Sequence, residues 1–209
     1  PLIVLADANI PAAARAACDG SMLNAGQICS STERVLVHNS VKDKFIEESL
    51  KHIKSMKVGD PMSEYTFMGP LNNEDVIRKV EDHIADAVSK GAKVVCGGNR
   101  IKGLGSDLFF EPTIIDGVFP GMLVHDEETY GPVISITSFD ADEDAVNLAN
   151  GNGYGLQMAV FTSDLRKMDY YSSKLKAGGI NINDGTIYDE DHMGFGGAPG
   201  TKSGYSRIG

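Results

Sequence analysis

The sequence predicts an α/β fold with an open, largely parallel, twisted sheet flanked by helices. Short apolar runs typical of strands alternate along the chain with amphipathic stretches typical of helices, as in consecutive βαβ units. Turn-forming glycines and prolines separate many of these segments. No internal repeat and no low-complexity linker is visible. We therefore predict one domain over residues 1–209, a length sufficient for one large core.

The first half of the chain contains two predicted strand–helix pairs joined by a loop of small and polar residues. Pro11 lies near the first turn of the first helix, where its missing N–H costs little. The second helix carries lysines and glutamates on one face, which indicates a solvated side. In chain order the elements are a strand at Leu2–Leu5, a helix at Ile10–Leu23, a loop at Asn24–Thr32, a strand at Glu33–His38 and a helix at Val41–Met56.

The second half continues the alternation. Gly91 ends a long helix, and the acids that follow Asp140 suit a helix N-terminus. The predicted helices are Asn72–Lys90, Asp140–Asn150 and Asp164–Lys174. The predicted strands are Ala92–Cys96, Glu111–Ile115, Gly131–Phe139, Met158–Thr162 and Gly179–Asn183, and the remainder is predicted as loop.

Composition excludes several function classes. The net charge of −10 and the absence of a basic run argue against nucleic-acid binding. No stretch approaches the roughly 20 apolar residues of a membrane span, and no signal peptide is recognisable, so we predict no membrane partner and a cytoplasmic location. The widely spaced cysteines form no CxxC pair and no HExxH occurs, so we predict no metal site.

Cys29 is the candidate for chemistry that the residues themselves offer. It follows the first helix in a loop that includes Gly26 and Gln27. A thiol that attacks a carbonyl needs access, an activating field or base, and N–H donors for the oxyanion. A loop of small residues supplies access and donors, but a lone cysteine is more often a small buried hydrophobe. The residues alone therefore leave both interpretations open, and Cys18 and Cys96 are predicted to be core residues.

Six motifs in the chain occur in the order expected of one enzyme family. They are Asn24-x-Gly26-Gln27-x-Cys29 with Arg34, Glu111-Pro112-Thr113, Glu127-Glu128-x-Tyr130-Gly131-Pro132, Asn152-x-Tyr154-Gly155-Leu156, Gly179-x-x-x-Asn183, and Phe195-Gly196-Gly197 before Lys202-Ser203-Gly204 and Arg207. Together they resemble the aldehyde dehydrogenase family over essentially the whole chain. Several ordered motifs are far more specific than any one of them.

The resemblance implies a role for each matching residue. Cys29 would attack the aldehyde carbon to form a thiohemiacetal, hydride would leave to the nicotinamide of NAD or NADP, and the thioester would be hydrolysed. The backbone N–H of Cys29 would be one oxyanion donor. Glu128 matches the acid that holds the nicotinamide ribose hydroxyls, and Tyr130 matches the aromatic that packs near the same ring. Without the motif they would be a solvated loop acid and a core aromatic. Gln27 and Arg34 are interpreted as structural supports.

The resemblance also implies where the substrate lies. Ile28 and Ser30 flank the nucleophile and would line the aldehyde tunnel, while Asp189 and Phe195 would come from the C-terminal loop that closes it. Ordinary loop packing is the alternative for the last two. The loop Asn183–Met193 resembles the branch that acts on benzaldehyde, salicylaldehyde and vanillin, and related members act on small hydroxyaldehydes. The expected partner is a small aldehyde, and the expected parent is a homodimer or homotetramer.

Several parts of the family pattern have no match in this chain. The N-terminal cofactor-binding domain, the oxyanion-hole Asn that it supplies and the general-base Glu expected ahead of Pro1 are absent from the sequence. We therefore expect a fragment that is nearly inactive alone. The alternatives are a non-catalytic folding or interaction unit, or a weak thiol acyl-transferase or esterase.

Overall fold

Residues 1–204, which the computed structural model describes, contain a seven-stranded sheet. Its strand order is β3-β4-β5-β2-β1-β6-β7, and every neighbouring pair is parallel except the antiparallel pair β3–β4. This confirms the predicted fold class. The strands are β1 (Leu2–Val4), β2 (Arg34–His38), β3 (Lys93–Cys96), β4 (Thr113–Asp116), β5 (Val133–Phe139), β6 (Gln157–Phe161) and β7 (Gly179–Ile182).

Helices cover both faces of the sheet. They are α1 (Ile10–Met22), α2 (Lys42–Ile53), α3 (Glu74–Ser89), α4 (Leu123–Asp126), α5 (Asp142–Asn150) and α6 (Leu165–Lys174). Successive residues of a strand point to opposite faces. Leu2 and Val4 accordingly join the core beneath α1, α2 and α3, while Ile3 joins the core beneath α5 and α6. Both sides of the central strands are therefore buried.

The element boundaries differ from the sequence prediction at a few places. Helix α1 ends one residue early, at Met22, because Asn24 and Ala25 adopt left-handed backbone angles inside the 3-10 turn Leu23–Gly26. Helix α2 begins at Lys42 after a second 3-10 turn and ends at Ile53. Helix α4 was not predicted, since four residues are too few to show a helical period.

Four neighbouring parallel strands, β1, β2, β5 and β6, start at the same edge of the sheet. Two of the segments that enter this edge carry the motifs of Cys29 and of Glu128. We call residues 24–33, before β2, the cysteine loop and residues 127–132, before β5, the acidic loop. Ligands in open parallel sheets commonly bind at the opposite, carboxyl-terminal edge. Within residues 1–204 no helix has the length and apolar character of a membrane span.

Candidate active site

A cavity of about 290 Å³ lies at the amino-terminal edge of the sheet. Cys29 lines it, and its side chain is exposed in a tight turn at residues 29–30. Ile28, Ser30 and Glu128 line the same cavity. The structure thus places four of the predicted site residues around one space, with contributions from the cysteine loop and the acidic loop.

The cysteine loop is held by hydrogen bonds from its own residues. The Gln27 side chain donates from Nε2 to the carbonyl oxygen of Asn24 at 2.9 Å. Its Oε1 accepts the backbone N–H of Asn72 at 2.8 Å, just before α3. Gln27 therefore fastens the segment that precedes Cys29 to a distant part of the chain, which agrees with a structural role.

Close backbone contact joins the cysteine loop to the acidic loop. Gly26 has φ +74°, and a Cβ atom at this position would overlap the carbonyl oxygen of Gly131. A Cβ on Gly131 would in turn overlap the side chain of Val80 on α3. Only glycine permits this approach, because any other side chain would force the two loops apart. The glycines of both motifs thus have a packing reason, and Gly26 has a conformational one as well.

Glu33 makes a second connection between the two loops, and the sequence prediction did not single it out. Its carboxylate oxygens accept the backbone N–H groups of Thr129 at 2.8 Å and Tyr130 at 2.7 Å. Burial raises the pKa of Glu33 to about 7, although these two N–H donors lower it in part. The available signal was an acid directly before an apolar strand, where a charge is expensive unless it is bonded.

Arg34 begins β2 and is buried. Its guanidinium donates to the carbonyl oxygens of Leu148 at 2.9 Å and Ala149 at 3.0 Å, and to Oδ1 of Asn152 at 3.0 Å. These acceptors lie in the last turn of α5 and in the loop that follows it, which also lines the cavity. Arg34 therefore holds the loop after α5 against the start of β2 beside the cavity, which agrees with the structural role expected of it.

Tyr130 lies on another side of the cysteine loop from the Cys29 cavity. It lines a second space of about 570 Å³ together with Asn24, Gln27 and Leu71. Its φ of +59° is unusual for a bulky residue. The two predicted cofactor contacts are thus separated: Glu128 shares the space of the thiol, and Tyr130 faces the neighbouring one.

The model of the aldehyde dehydrogenase family matches residues 1–209. The chain belongs to the aldehyde dehydrogenase family. This confirms the family that the ordered motifs predicted.

Several aldehyde dehydrogenases resemble the chain closely over part of their length. It is 39% identical to the NADP(+) succinate-semialdehyde dehydrogenase 2 of Schizosaccharomyces pombe and 39% identical to a benzaldehyde dehydrogenase of Bacillus subtilis, in each case over 99% of this chain and 41% of the relative. The crystal structure of succinate-semialdehyde dehydrogenase from Burkholderia pseudomallei superimposes with a TM-score of 0.95 at 38% identity, covering 100% of this chain and 42% of that one. The chain spans about two fifths of the length of these aldehyde dehydrogenases.

The C-terminal loop of this aldehyde dehydrogenase chain reaches the site through a residue that the sequence prediction missed. Thr186 is 1% exposed, and its hydroxyl donates to the carbonyl oxygen of Ser30 at 2.7 Å and lies 2.7 Å from the hydroxyl of Thr32. Among the residues described, neither Asp189, which is exposed, nor Phe195, which is partly buried, lines the Cys29 cavity. Their assignment to a substrate tunnel stays a prediction.

The two other cysteines are packed in or against the core. Cys18 is fully buried, and burial raises its pKa to about 12, while Cys96 is partly buried against the core. Neither thiol is as accessible as Cys29. No group of three or more metal-binding side chains occurs in the part of the chain that the structure describes. Arg207 of the last motif lies outside the described residues.

Proposed function

We propose that this chain is the cysteine-bearing part of an enzyme that oxidises an aldehyde to a carboxylic acid with NAD or NADP, and that Cys29 is its nucleophile. One observation carries the proposal: the exposed thiol of Cys29 shares a cavity with Glu128, in a chain that belongs to the aldehyde dehydrogenase family. Cys18 and Cys96 are less accessible and their pKa values are raised by burial, which disfavours the reactive thiolate.

The proposed chemistry uses the thiol twice. The thiolate of Cys29 attacks the aldehyde carbon, a C–S bond forms, and the carbonyl electron pair moves to oxygen. The backbone N–H of Cys29 is one donor to that oxyanion. Oxidation re-forms the C=O bond and leaves a thioester on the sulfur. Water then attacks the thioester, the C–S bond breaks, the carboxylate leaves and the thiol is regenerated.

NAD or NADP, when bound, supplies the oxidant by accepting the two electrons and the hydrogen that leave the carbon. The residues present suit such a group. Glu128 offers a carboxylate that can accept hydrogen bonds from two ribose hydroxyls, and Tyr130 offers an aromatic face on the adjoining surface. The fission-yeast relative is named for NADP(+). No residue of this chain distinguishes the two dinucleotides.

The proposed substrate is a small aldehyde, and Ile28 and Ser30 would line the space that holds it beside the thiol. The relatives are named for succinate semialdehyde and for benzaldehyde, which differ in charge and shape. The aromatic branch indicated by the loop Asn183–Met193 is therefore one of two classes to assay. Because the chain spans about two fifths of its relatives, we further propose that sustained turnover requires groups beyond these 209 residues. We also propose that the parent enzyme is cytoplasmic and forms a homodimer or homotetramer.

The test is the Cys29→Ala variant in the natural polypeptide at its full length. With succinate semialdehyde and benzaldehyde as alternative substrates, we expect NAD(P)H formation to fall by at least about a thousandfold, because removal of a covalent nucleophile leaves only binding and electrostatic effects. Absorbance at the NAD(P)H band measures the rate. An unchanged rate of NAD(P)H formation in Cys29→Ala would contradict the proposal.

Two controls make the result specific. The Cys96→Ala variant removes a different thiol, outside the cavity, and is expected to keep the rate of the unmodified enzyme. A nitrophenyl ester assay without NAD(P) distinguishes the thiol esterase alternative. For the 209-residue chain we expect at most one acyl group per Cys29, and multiple ester turnovers would favour that alternative.

A further inference from the structure

The carboxylate of Glu33 has an arrangement that its neighbours on the cysteine loop lack. It reaches across to the acidic loop and accepts two consecutive backbone N–H groups, those of Thr129 and Tyr130. Its own carbonyl oxygen also accepts the N–H and the hydroxyl of Ser135 on β5. One residue, four positions after Cys29, thus contacts both the acidic loop and the strand that follows it.

The acidic loop needs such a partner because its backbone is strained. Tyr130 has φ +59°, a left-handed backbone conformation that is unfavourable for a non-glycine residue. Gly131 follows, pressed against Val80 on one side and Gly26 on the other. Hydrogen bonds that a charged carboxylate accepts are stronger than those between two neutral groups. The two bonds to Glu33 are placed where they hold the residue with the unfavourable conformation.

We propose that Glu33 is a positioning residue that holds Glu128 and Tyr130 at a fixed distance from Cys29, so that the dinucleotide contacts and the nucleophile stay in register. The proposal rests on the proposed function, since it assigns those two residues to cofactor binding. Glu33 also lines the Cys29 cavity, but its carboxylate oxygens are bonded to the acidic loop, and in this scheme it contacts neither reactant. It acts through the backbone N–H groups of Thr129 and Tyr130, which lie within the acidic loop directly after Glu128.

The first experiment reports on the contact without any cofactor. Amide hydrogen exchange of Thr129 and Tyr130 is measured in the 209-residue chain at pH 8, with Glu33 unmodified, changed to Gln, or changed to Asp. Gln presents an amide N–H₂ to one of the two N–H donors, and Asp is one methylene too short to reach both. We expect about tenfold faster exchange of at least one of these amides in each variant.

The second experiment separates positioning from simple loss of stability. In the full-length polypeptide, Glu33→Gln is expected to raise the KM for NAD(P) by about tenfold, while the alkylation rate of the Cys29 thiol by iodoacetamide changes less than about twofold. A purely structural role would lower the melting temperature but leave the KM of the folded enzyme unchanged. Glu64→Gln is the matched control, because Glu64 lies exposed in a distant loop.

The outcomes separate a failure of the positioning role from a failure of the proposed function. If the KM for NAD(P) is unchanged in Glu33→Gln although the amides exchange faster, Glu33 is structural and the positioning role is wrong, while the proposed oxidation stands. If the unmodified polypeptide forms no NAD(P)H, the proposed function itself fails. Should both variants fail to fold, the unmodified chain still decides: amides at 129 and 130 that exchange as fast as free peptides would contradict the contact.

Discussion

Within residues 1–204, four non-glycine residues have positive φ: Asn24, Ala25, Tyr130 and Asn183. Each lies in one of the matched motifs or directly before the cysteine. Such conformations persist only where the surroundings over-determine them. Asn24 and Ala25 turn the chain out of α1 toward the thiol, and Tyr130 turns the acidic loop toward Gly26. Three of the four strained residues therefore lie in the two loops of the candidate site, whereas Asn183 lies at the carboxyl-terminal edge of the sheet, where its side chain bonds the backbone of Thr162.

The partly buried carboxyl group of Glu33 has a predictable effect on stability. Its pKa is about 7 in the folded protein and near 4.3 for an exposed Glu, so the folded state binds more protons between these values. The contribution of Glu33 to the free energy of unfolding is most favourable below the pKa of an exposed Glu, near 4.3. It is lost as the pH rises through the pKa of about 7 in the folded protein. From pH 4.5 to pH 8 we expect the free energy of unfolding to fall, relative to Glu33→Gln, by up to about 3 kcal/mol.

Urea unfolding of the two proteins across this pH range measures that difference. Glu128 and Lys79 face Glu33 and also carry charge, but both proteins contain them, so their titration largely cancels. A stability difference that stays constant from pH 4.5 to 8 would show that Glu33 is not buried as a titrating group. The site would then tolerate the charge at no cost to the fold.

At the scale of single elements, the start of β2 is fastened to the end of α5. Helix ends leave carbonyl groups without partners, and the Arg34 guanidinium supplies donors to two of them as well as to Asn152. Asn152 in turn donates to the carbonyl oxygen of His125, at the end of α4. One buried cation thus connects three elements around the cavity floor, and the arrangement depends on its planar, forked shape.

We expect Arg34→Lys to lower the free energy of unfolding by about 2–3 kcal/mol, because a single ammonium group cannot satisfy three separated acceptors in a buried space. Urea denaturation measures the change. The control is Arg15→Lys, whose side chain is 75% exposed in a surface ion pair with Asp19 and should change stability by less than about 1 kcal/mol. Equal effects of the two substitutions would refute a special role for the fork.

At the scale of the whole molecule, two segments far apart in sequence meet over α1. The chain leaves β7 at Ile182 and passes Ala16 on α1 at Gly185, just before Thr186 bonds to the cysteine loop. The acidic loop contacts the same loop through Glu33. The loop that carries Cys29 therefore lies between two supports that come from opposite sides of β2 in the sheet order, one ahead of β5 and one after β7.

Thr186→Val is expected to release the C-terminal loop while keeping the shape of the side chain. It removes both hydrogen bonds to Ser30 and Thr32 and leaves buried acceptors unpaired, at a cost of about 1–3 kcal/mol. Chymotrypsin cleavage after Tyr188, which is 43% exposed, should accelerate several-fold. Thr186→Ser retains the hydroxyl and should behave as the unmodified chain. Loss of protection in Thr186→Ser but not in Thr186→Val would point to the methyl group instead.

The order of strands and helices could be predicted from the sequence because it depends on local periods of apolar residues and on nearby turn residues. The candidate nucleophile and Glu128 could also be named, since their motifs are short runs of adjacent residues. Errors were confined to element ends and to α4, where one turn or less carries no periodic signal. Local patterns thus determined which elements form and which thiol to test.

Tertiary structure alone decided where these pieces meet. The site lies at the amino-terminal edge of the parallel strands because β1, β2, β5 and β6 are neighbours in the sheet, an order that no local pattern encodes. Glu33 and Thr186 join residues separated by 97 and 156 positions, so their partners depend on that order. Hydrogen bonds of such range form only after the sheet is assembled, which is why sequence reasoning named a candidate nucleophile but not the residues that hold its loop.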